Sequence, residues 1–417
     1  MSVKSILIRV NSFVLANLAV INVAVAQKPN FDYSFYGFVR GDYYFNTRSN
    51  VEGVDGLFYL YPKNILLDPD GKDLNETPSG SFYTITTRLG LDIKGPDVGK
   101  AKTSAKIESD FCGATNLFFL LRLRQAHVRL DWQNGSSLML GQAWHPLLGE
   151  VTPTILNIST GAPFQPFNLS PQINYQYAQG GWKLKAAAVY QLMYTSYGPA
   201  GKGEEYLKNG ILPELYGSLD YRKNGFAVGT GIDMISLKPR LQSSVADGST
   251  YRVDERVTSL SYEVHAEYVY NLLKIAGRTM LASNQGHNNL MGGGYGVSKR
   301  DERTGEQDYT PFKNAVSWLN VVYGKKLQGL LFVGYAKNLG TTDKLLNTTD
   351  LYGSGLDIDQ FVNLSFCMRY VLPHWNIGLE YTNSTARYGD IDTSNGKISN
   401  THGVTNHRLE AAFIYTF

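Results

Sequence analysis

Apolar and polar residues alternate with a period of two in one stretch of the chain after another. In 35–45, Phe35, Gly37, Val39, Gly41, Tyr43 and Phe45 fall at one parity, with Ser34, Arg40 and Asp42 at the other. The segment from Tyr83 repeats the scheme, with Ile85, Leu89, Leu91 and Ile93 opposite Thr84, Thr86, Arg88, Asp92 and Lys94. Around Gln125, residues Ala126, Val128, Leu130 and Trp132 oppose Gln125, His127, Arg129 and Asp131. Such a period predicts β-strands with one apolar and one wet face. The same template predicts strands at 101–111, 137–144, 172–178, 181–192, 214–222, 225–234, 257–270, 272–282, 313–323, 327–337, 361–372, 375–382 and 405–417, which makes sixteen. A soluble sandwich also alternates, but it rarely keeps Arg, Asp and Lys at one parity and Trp, Tyr and Leu at the other for so long.

The links between these strands alternate in length. Short turns (Lys223-Asn224, Asn271, Gly324-Lys325-Lys326, Pro373-His374) interleave with long polar links at 47–80, 196–213, 236–255, 283–311 and 338–360. That is the layout of an all-β, transmembrane, antiparallel up-and-down β-barrel with an even strand number and both chain ends in the periplasm. Beyond the N-terminus no segment approaches the ~20 apolar residues of a spanning helix. A membrane life therefore requires a closed barrel, the other structure that satisfies every backbone group in lipid. The 28 Tyr, 19 Phe and 42 Gly agree with alternating strands and tight turns. No repeat of 20 to 50 residues points to a propeller or solenoid.

At the N-terminus, Lys4 and Arg9 precede an uncharged run over 10–26 that closes on Ala24-Val25-Ala26, as a secretory signal peptide does. Cleavage after Ala26 divides the chain into a signal at 1–26 and a single barrel domain at 27–417. Losing Lys4 and Arg9 from 39 cations leaves 37 against 36 carboxylates, a balance unlike that of a nucleic-acid binder. Cys112 and Cys367 are too few for a disulfide framework and their spacing matches no zinc pattern; they are read as unpaired, with a single bridge as the alternative.

The last segment places Leu409, Ala411, Phe413, Tyr415 and Phe417 at one parity, with Arg408, Glu410 and Thr416 between. It reads as the signal by which barrels are handed to the insertion machinery, and as the strand that closes against 35–45. The link 145–170 is long, nearly uncharged and proline-rich, and carries His145, Glu150, Phe164 and Phe167. It is expected to fold into the barrel as a pore-constricting loop, the alternative being a subunit interface. Lumen-side candidates are Arg40, Asp42, Arg88, Arg122, Arg124, His127, Arg129 and Asp131. Arg122 and Arg124 are out of phase with Ala126 onward, so a bulge is expected between them. A basic ladder would attract anions. The acids in the same strands, with Glu263 and Glu267 opposite, leave a mixed-charge lumen equally open.

The stretch 121–147, LRLRQAHVRLDWQNGSSLMLGQAWHPL, suggests a hairpin turning at Asn134-Gly135. Its arginine-rich strand followed by Gly141-Gln142-Ala143-Trp144, together with the opening Tyr36-Gly37-Phe38-Val39-Arg40-Gly41-Asp42, resembles the DcaP-like outer-membrane porins. The resemblance covers these segments and the general layout. It implies a sixteen-stranded porin, commonly trimeric, that admits small anionic solutes by diffusion.

Signals for chemistry are weak: the chain has no Gly-x-Ser-x-Gly, His-Glu-x-x-His or Cys-x-x-Cys, and neither a phosphate loop nor a complete calcium loop. No enzyme, cofactor or metal site is predicted. The expected partners are the lipid bilayer and lipopolysaccharide, the barrel-insertion machinery, small solutes and two further copies in a homotrimer, with no nucleic acid. Two other readings are an outer-membrane lipid-modifying enzyme and a secreted glycan-binding or adhesin protein.

Overall fold

The computed structural model describes residues 31–113 and 119–417; the signal-peptide assignment lies outside them. Sixteen antiparallel strands form one closed barrel. They are β1 Asp32–Asn46, β2 Ser79–Tyr83 continued by Arg88–Val98, β3 Ala101–Asp110 and β4 Arg122–Trp132. Next come β5 Ser136–Trp144, β6 Leu169–Gln179, β7 Trp182–Val189 and β8 Glu214–Lys223. β9 Phe226–Leu237, β10 Val257–Tyr270, β11 Leu273–Ser283 and β12 Lys313–Gly324 follow. β13 Leu327–Gly340, β14 Ile358–Val371, β15 Trp375–Ile391 and β16 Ile398–Thr416 complete the wall. The two parts of β2 pair in turn with β1, interrupted by a turn in which the Thr87 amide donates to the Thr84 carbonyl. Among the described residues the one α-helix is Glu205–Gly210, and no helix is long and apolar enough to cross a membrane.

Closure occurs between β1 and β16, as the alternation of the two ends predicts. Val39 pairs with Tyr415, Gly41 with Phe413 and Phe45 with Leu409, all on the outer face, while Asp42, Arg408 and Glu410 are buried within. The Phe413 ring lies over Gly41, where a Cβ would come within 2.4 Å of it. An aromatic thereby covers the gap that the missing side chain leaves. Phe417 exchanges two backbone hydrogen bonds with Gly37, at 3.1 and 3.2 Å, so the chain end is part of the seam.

The outer wall exposes Phe35, Val128, Leu184, Val264, Phe366 and Leu379, an apolar belt suited to hydrocarbon. The inner parity carries the buried charges. The predicted short turns at Asn224 and Asn271 carry left-handed residues, with φ of +51° and +52°. Both cysteines are free.

Three link segments pack against the inner wall. Within 47–78, the hairpin Asn50–Gly53 with Phe58–Pro62 buries Phe58, Tyr59 and Tyr61. Tyr388 on β15 donates to the Pro62 carbonyl at 2.6 Å, and Asn363 on β14 donates to the Tyr59 hydroxyl at 3.3 Å. Residues 284–293 are almost wholly buried too, and Gln285 donates to Asp233 on β9 at 2.7 Å. By their length and polarity the links 47–80 and 283–311 fit the outside of the barrel, yet part of each lies within it. The difference is physical: the apolar run from Leu57 to Tyr61, and an amide-rich turn with its own side-chain partners, each find burial against the barrel. The third segment, 145–168, belongs to the site below.

Candidate functional site

The site grows from the irregularity in β4. Along the β3–β4 ladder Glu108 pairs with Gln125 but Ser109 pairs with Leu123, so Arg124 is one residue too many. The bulge turns Arg122 and Arg124 to the interior side that His127 and Arg129 also occupy, which explains their phase in the sequence. A bulge leaves backbone carbonyls without ladder partners. Gln142 supplies them: its side-chain Nε2 donates at 3.0 Å to both the Leu123 and the Arg124 carbonyls. Gly141, at φ +132°, brings β5 close, since a Cβ there would lie 2.3 Å from the Ala126 carbonyl oxygen. Three residues on, the Trp144 ring stacks under the Arg124 guanidinium at 5.2 Å. Gly141-Gln142-Ala143-Trp144 is thus the mould in which Arg124 is set.

The arginines are held by carboxylates of β3 and β1. Arg122 makes a two-pronged pair with Asp110, at 2.9 and 2.6 Å. Arg124 reaches Asp110 and Glu108, both at 3.0 Å. Arg88 lies 3.7 Å from Glu108 and over the Phe38 ring at 5.0 Å. Arg40 pairs with Asp42 at 2.6 Å and donates at 2.7 Å to the Leu156 carbonyl, while Thr86 donates to Asp42 at 2.8 Å. Arg40, Arg88, Arg122 and Arg124 line one cavity of about 740 Å³ with Asp110, Lys202 and the rings of Phe38, Phe58, Trp144 and Tyr194. Counting Asp42, Glu108 and Glu410, which pair with these cations, the cavity sets five cations against four carboxylates. Arg88 Nε and Arg124 Nη2 are buried N–H groups without a protein acceptor.

Segment 145–168 forms the opposite side of this cavity. Arg278 on β11 donates to the Leu147 carbonyl at 3.0 Å, and Asn320 on β12 both accepts from the Thr154 amide at 2.8 Å and donates to its carbonyl at 3.1 Å. The Leu156 amide donates to Glu380 on β15 at 2.7 Å, and Asn157 donates to Glu410 on β16 at 2.6 Å. With Arg40 these contacts span five strands of the wall. Phe164 stacks on Phe361 at 5.0 Å and Phe167 packs against Phe58 and Trp144 at 4.8 and 5.0 Å; both rings are buried anchors. Glu150 is clamped by Lys183 and Lys185 of β7, each at 2.9 Å.

The remaining sequence-predicted residues lie apart. His127 approaches the Gln142 carbonyl at 3.4 Å, and Arg129 and Asp131 form a half-exposed pair at 2.8 Å near the turn at Asn134-Gly135. His145 turns from the cavity to meet Glu214 at 3.1 Å. Phe413, Tyr415 and Phe417 sit on the outer face at the seam. Lys202, Tyr194 and His287, which line the cavity, were not anticipated: they come from long links, where no periodicity assigns a side chain to a wall.

No protein-family model matches the chain, and no curated protein sequence does. Solved structures share its fold. OmpT, an outer membrane protein of Vibrio cholerae, matches with a TM-score of 0.55 at 12% identity over 94% of this chain and 99% of that one. An anion-selective porin from Comamonas acidovorans matches at 0.53 and 10% identity over 93% and 100% of the two chains. Salmonella typhi OmpF, in complex with daunomycin, matches at 0.50 and 11% identity, covering 92% and 97%.

Proposed function

We propose that the chain is an outer-membrane porin through which small hydrophilic solutes, anions preferentially, diffuse passively past a pore narrowed by segment 145–168. The observation that carries this reading is the arginine-rich cavity between the inner wall and that segment, two of whose arginines keep a buried N–H without a protein acceptor. A surplus of fixed cations in a confined, poorly screened space raises the local concentration of carboxylates and phosphates. The aromatic lining provides low-cost contact for the apolar part of a solute without binding it permanently. The shared fold with outer-membrane porins supports the location, and the motif at Gly141–Trp144 supports kinship with the DcaP-like group. We further read the protein as a channel that performs no reaction, exported by a cleaved signal and assembled as a trimer.

Liposome swelling tests the proposal. Proteoliposomes in isosmotic solutions of a small sugar or a small organic anion should swell, faster with the anion, and slow as solute size grows. Liposomes that swell no faster than protein-free controls would exclude a diffusion pore.

A further inference from the structure

Three ligand-type side chains from distant parts of the chain meet at the outer end of β8. Glu214, its first residue, holds Oε1 3.1 Å from Nε2 of His145 and 3.0 Å from Nε2 of His287. All three side chains have no exposed surface, and their donor atoms lie within 4.8 Å of one another. His145 follows β5 at the root of segment 145–168, and His287 lies in the buried 284–293 turn. Around a four-coordinate divalent ion with bonds near 2.0–2.2 Å, ligand atoms stand roughly 3.3–3.6 Å apart. The two carboxylate–imidazole spacings are a few tenths of an ångström shorter, a gap that a small side-chain shift closes.

A second observation points to an occupant. His145 Nε2, Glu214 Oε2, His287 Nδ1, Asp233 Oδ1 and Asn288 Oδ1 are all buried without an aligned hydrogen-bond partner. An ion held by both Nε2 atoms and by both carboxylate oxygens would satisfy His145 Nε2 and Glu214 Oε2, each of which costs on the order of 1–3 kcal/mol when left unpaired. Two imidazoles with one carboxylate suit a borderline transition ion better than Mg²⁺ or Ca²⁺, which take oxygen ligands. His287 also borders the arginine cavity.

We propose that His145, Glu214 and His287 form a binding site for a Zn²⁺-class divalent ion that ties the root of segment 145–168 to the 284–293 turn and the barrel wall. Without the ion, His145 Nδ1 accepts the Leu147 N–H at 3.2 Å, so Nε2 carries the ring proton. An ion at Nε2 moves that proton to Nδ1 and ends the contact with Leu147. Loading the site therefore repacks the turn Pro146–Leu148, coupling the ion to the narrowing segment.

Chelator-treated protein in detergent, titrated with Co²⁺, should take up one equivalent and develop the visible absorption of a four- or five-coordinate ion, which Zn²⁺ then abolishes. His287→Gln and Glu214→Gln should each weaken Zn²⁺ binding by more than the ~100-fold typical of losing an outer-shell partner, with the heat-modifiable gel migration of the folded barrel unchanged. Folded variants that bind as tightly as the parent would overturn the assignment, as would absence of stoichiometric uptake. Should the variants not fold, X-ray absorption of the Zn²⁺-loaded parent decides: two imidazoles plus oxygen support the site, and an all-oxygen shell refutes it.

Discussion

Replacing Gln142 with Met keeps the length of the side chain and removes the amide that satisfies the β4 bulge. Two hydrogen bonds of 3.0 Å disappear, to the Leu123 and Arg124 carbonyls. Two net hydrogen bonds are worth about 2 kcal/mol, and two carbonyls left wholly unsatisfied cost up to about 6. Pore water near the cavity relieves part of the penalty, so the expected loss is about 2–4 kcal/mol. The damage should be local: with its carbonyl released, Arg124 leaves the Trp144 face and its two carboxylates, and the ordered cationic surplus of the cavity is lost. Urea unfolding in detergent, followed by tryptophan fluorescence, measures the stability term, and reversal potentials in a salt gradient measure the selectivity term. A Gln142→Met protein within about 0.5 kcal/mol of the parent, at the level of an inert surface change, and with unaltered selectivity would refute the role given to this residue.

Three further outcomes follow from the same geometry. Gly37→Ala should destabilise the barrel by about 1–3 kcal/mol, because its Cβ would lie 2.3 Å from the Arg88 carbonyl oxygen at the closing seam; slower folding into detergent micelles and a lower urea midpoint would register it. Phe164→Ala removes a fully buried ring stacked on Phe361; it should cost about 3–5 kcal/mol and increase current noise in single channels as segment 145–168 loosens. Arg88→Met takes one cation and an unpaired N–H from the cavity, and should lower the anion-over-cation permeability ratio measured by reversal potential while leaving the urea midpoint nearly unchanged.

The strands were legible because a barrel wall imposes one rule on every residue: odd positions meet lipid and even positions meet water, or the reverse. All sixteen emerge from that rule, and so does the pairing of the two ends, since Phe35–Phe45 and Leu409–Phe417 share the outward parity. Arg122 and Arg124 were legible as an exception to it, and the bulge is the reason. What the alternation could not convey is the filling of the barrel. The hairpin at 50–62 and the turn at 284–293 are placed by tertiary packing, and the only local sign was the unbroken apolar run from Leu57 to Tyr61 inside a polar link. His145, Glu214 and His287 meet although 73 residues separate Glu214 from His287. No motif spacing records such a meeting; three links folding onto one wall create it. Phe164 and Phe167 were named from their place in the link, and their rings are buried against the wall because apolar groups seek it rather than water.

The central claim is that the barrel is a solute pathway with a cationic narrow zone. Single-channel recording of the parent protein in a planar bilayer, with reversal potentials in a KCl gradient, tests it most directly. Discrete conductance steps and a reversal potential displaced toward that of chloride are the predicted result; a barrel that inserts without current steps, or one that prefers potassium, would contradict the account.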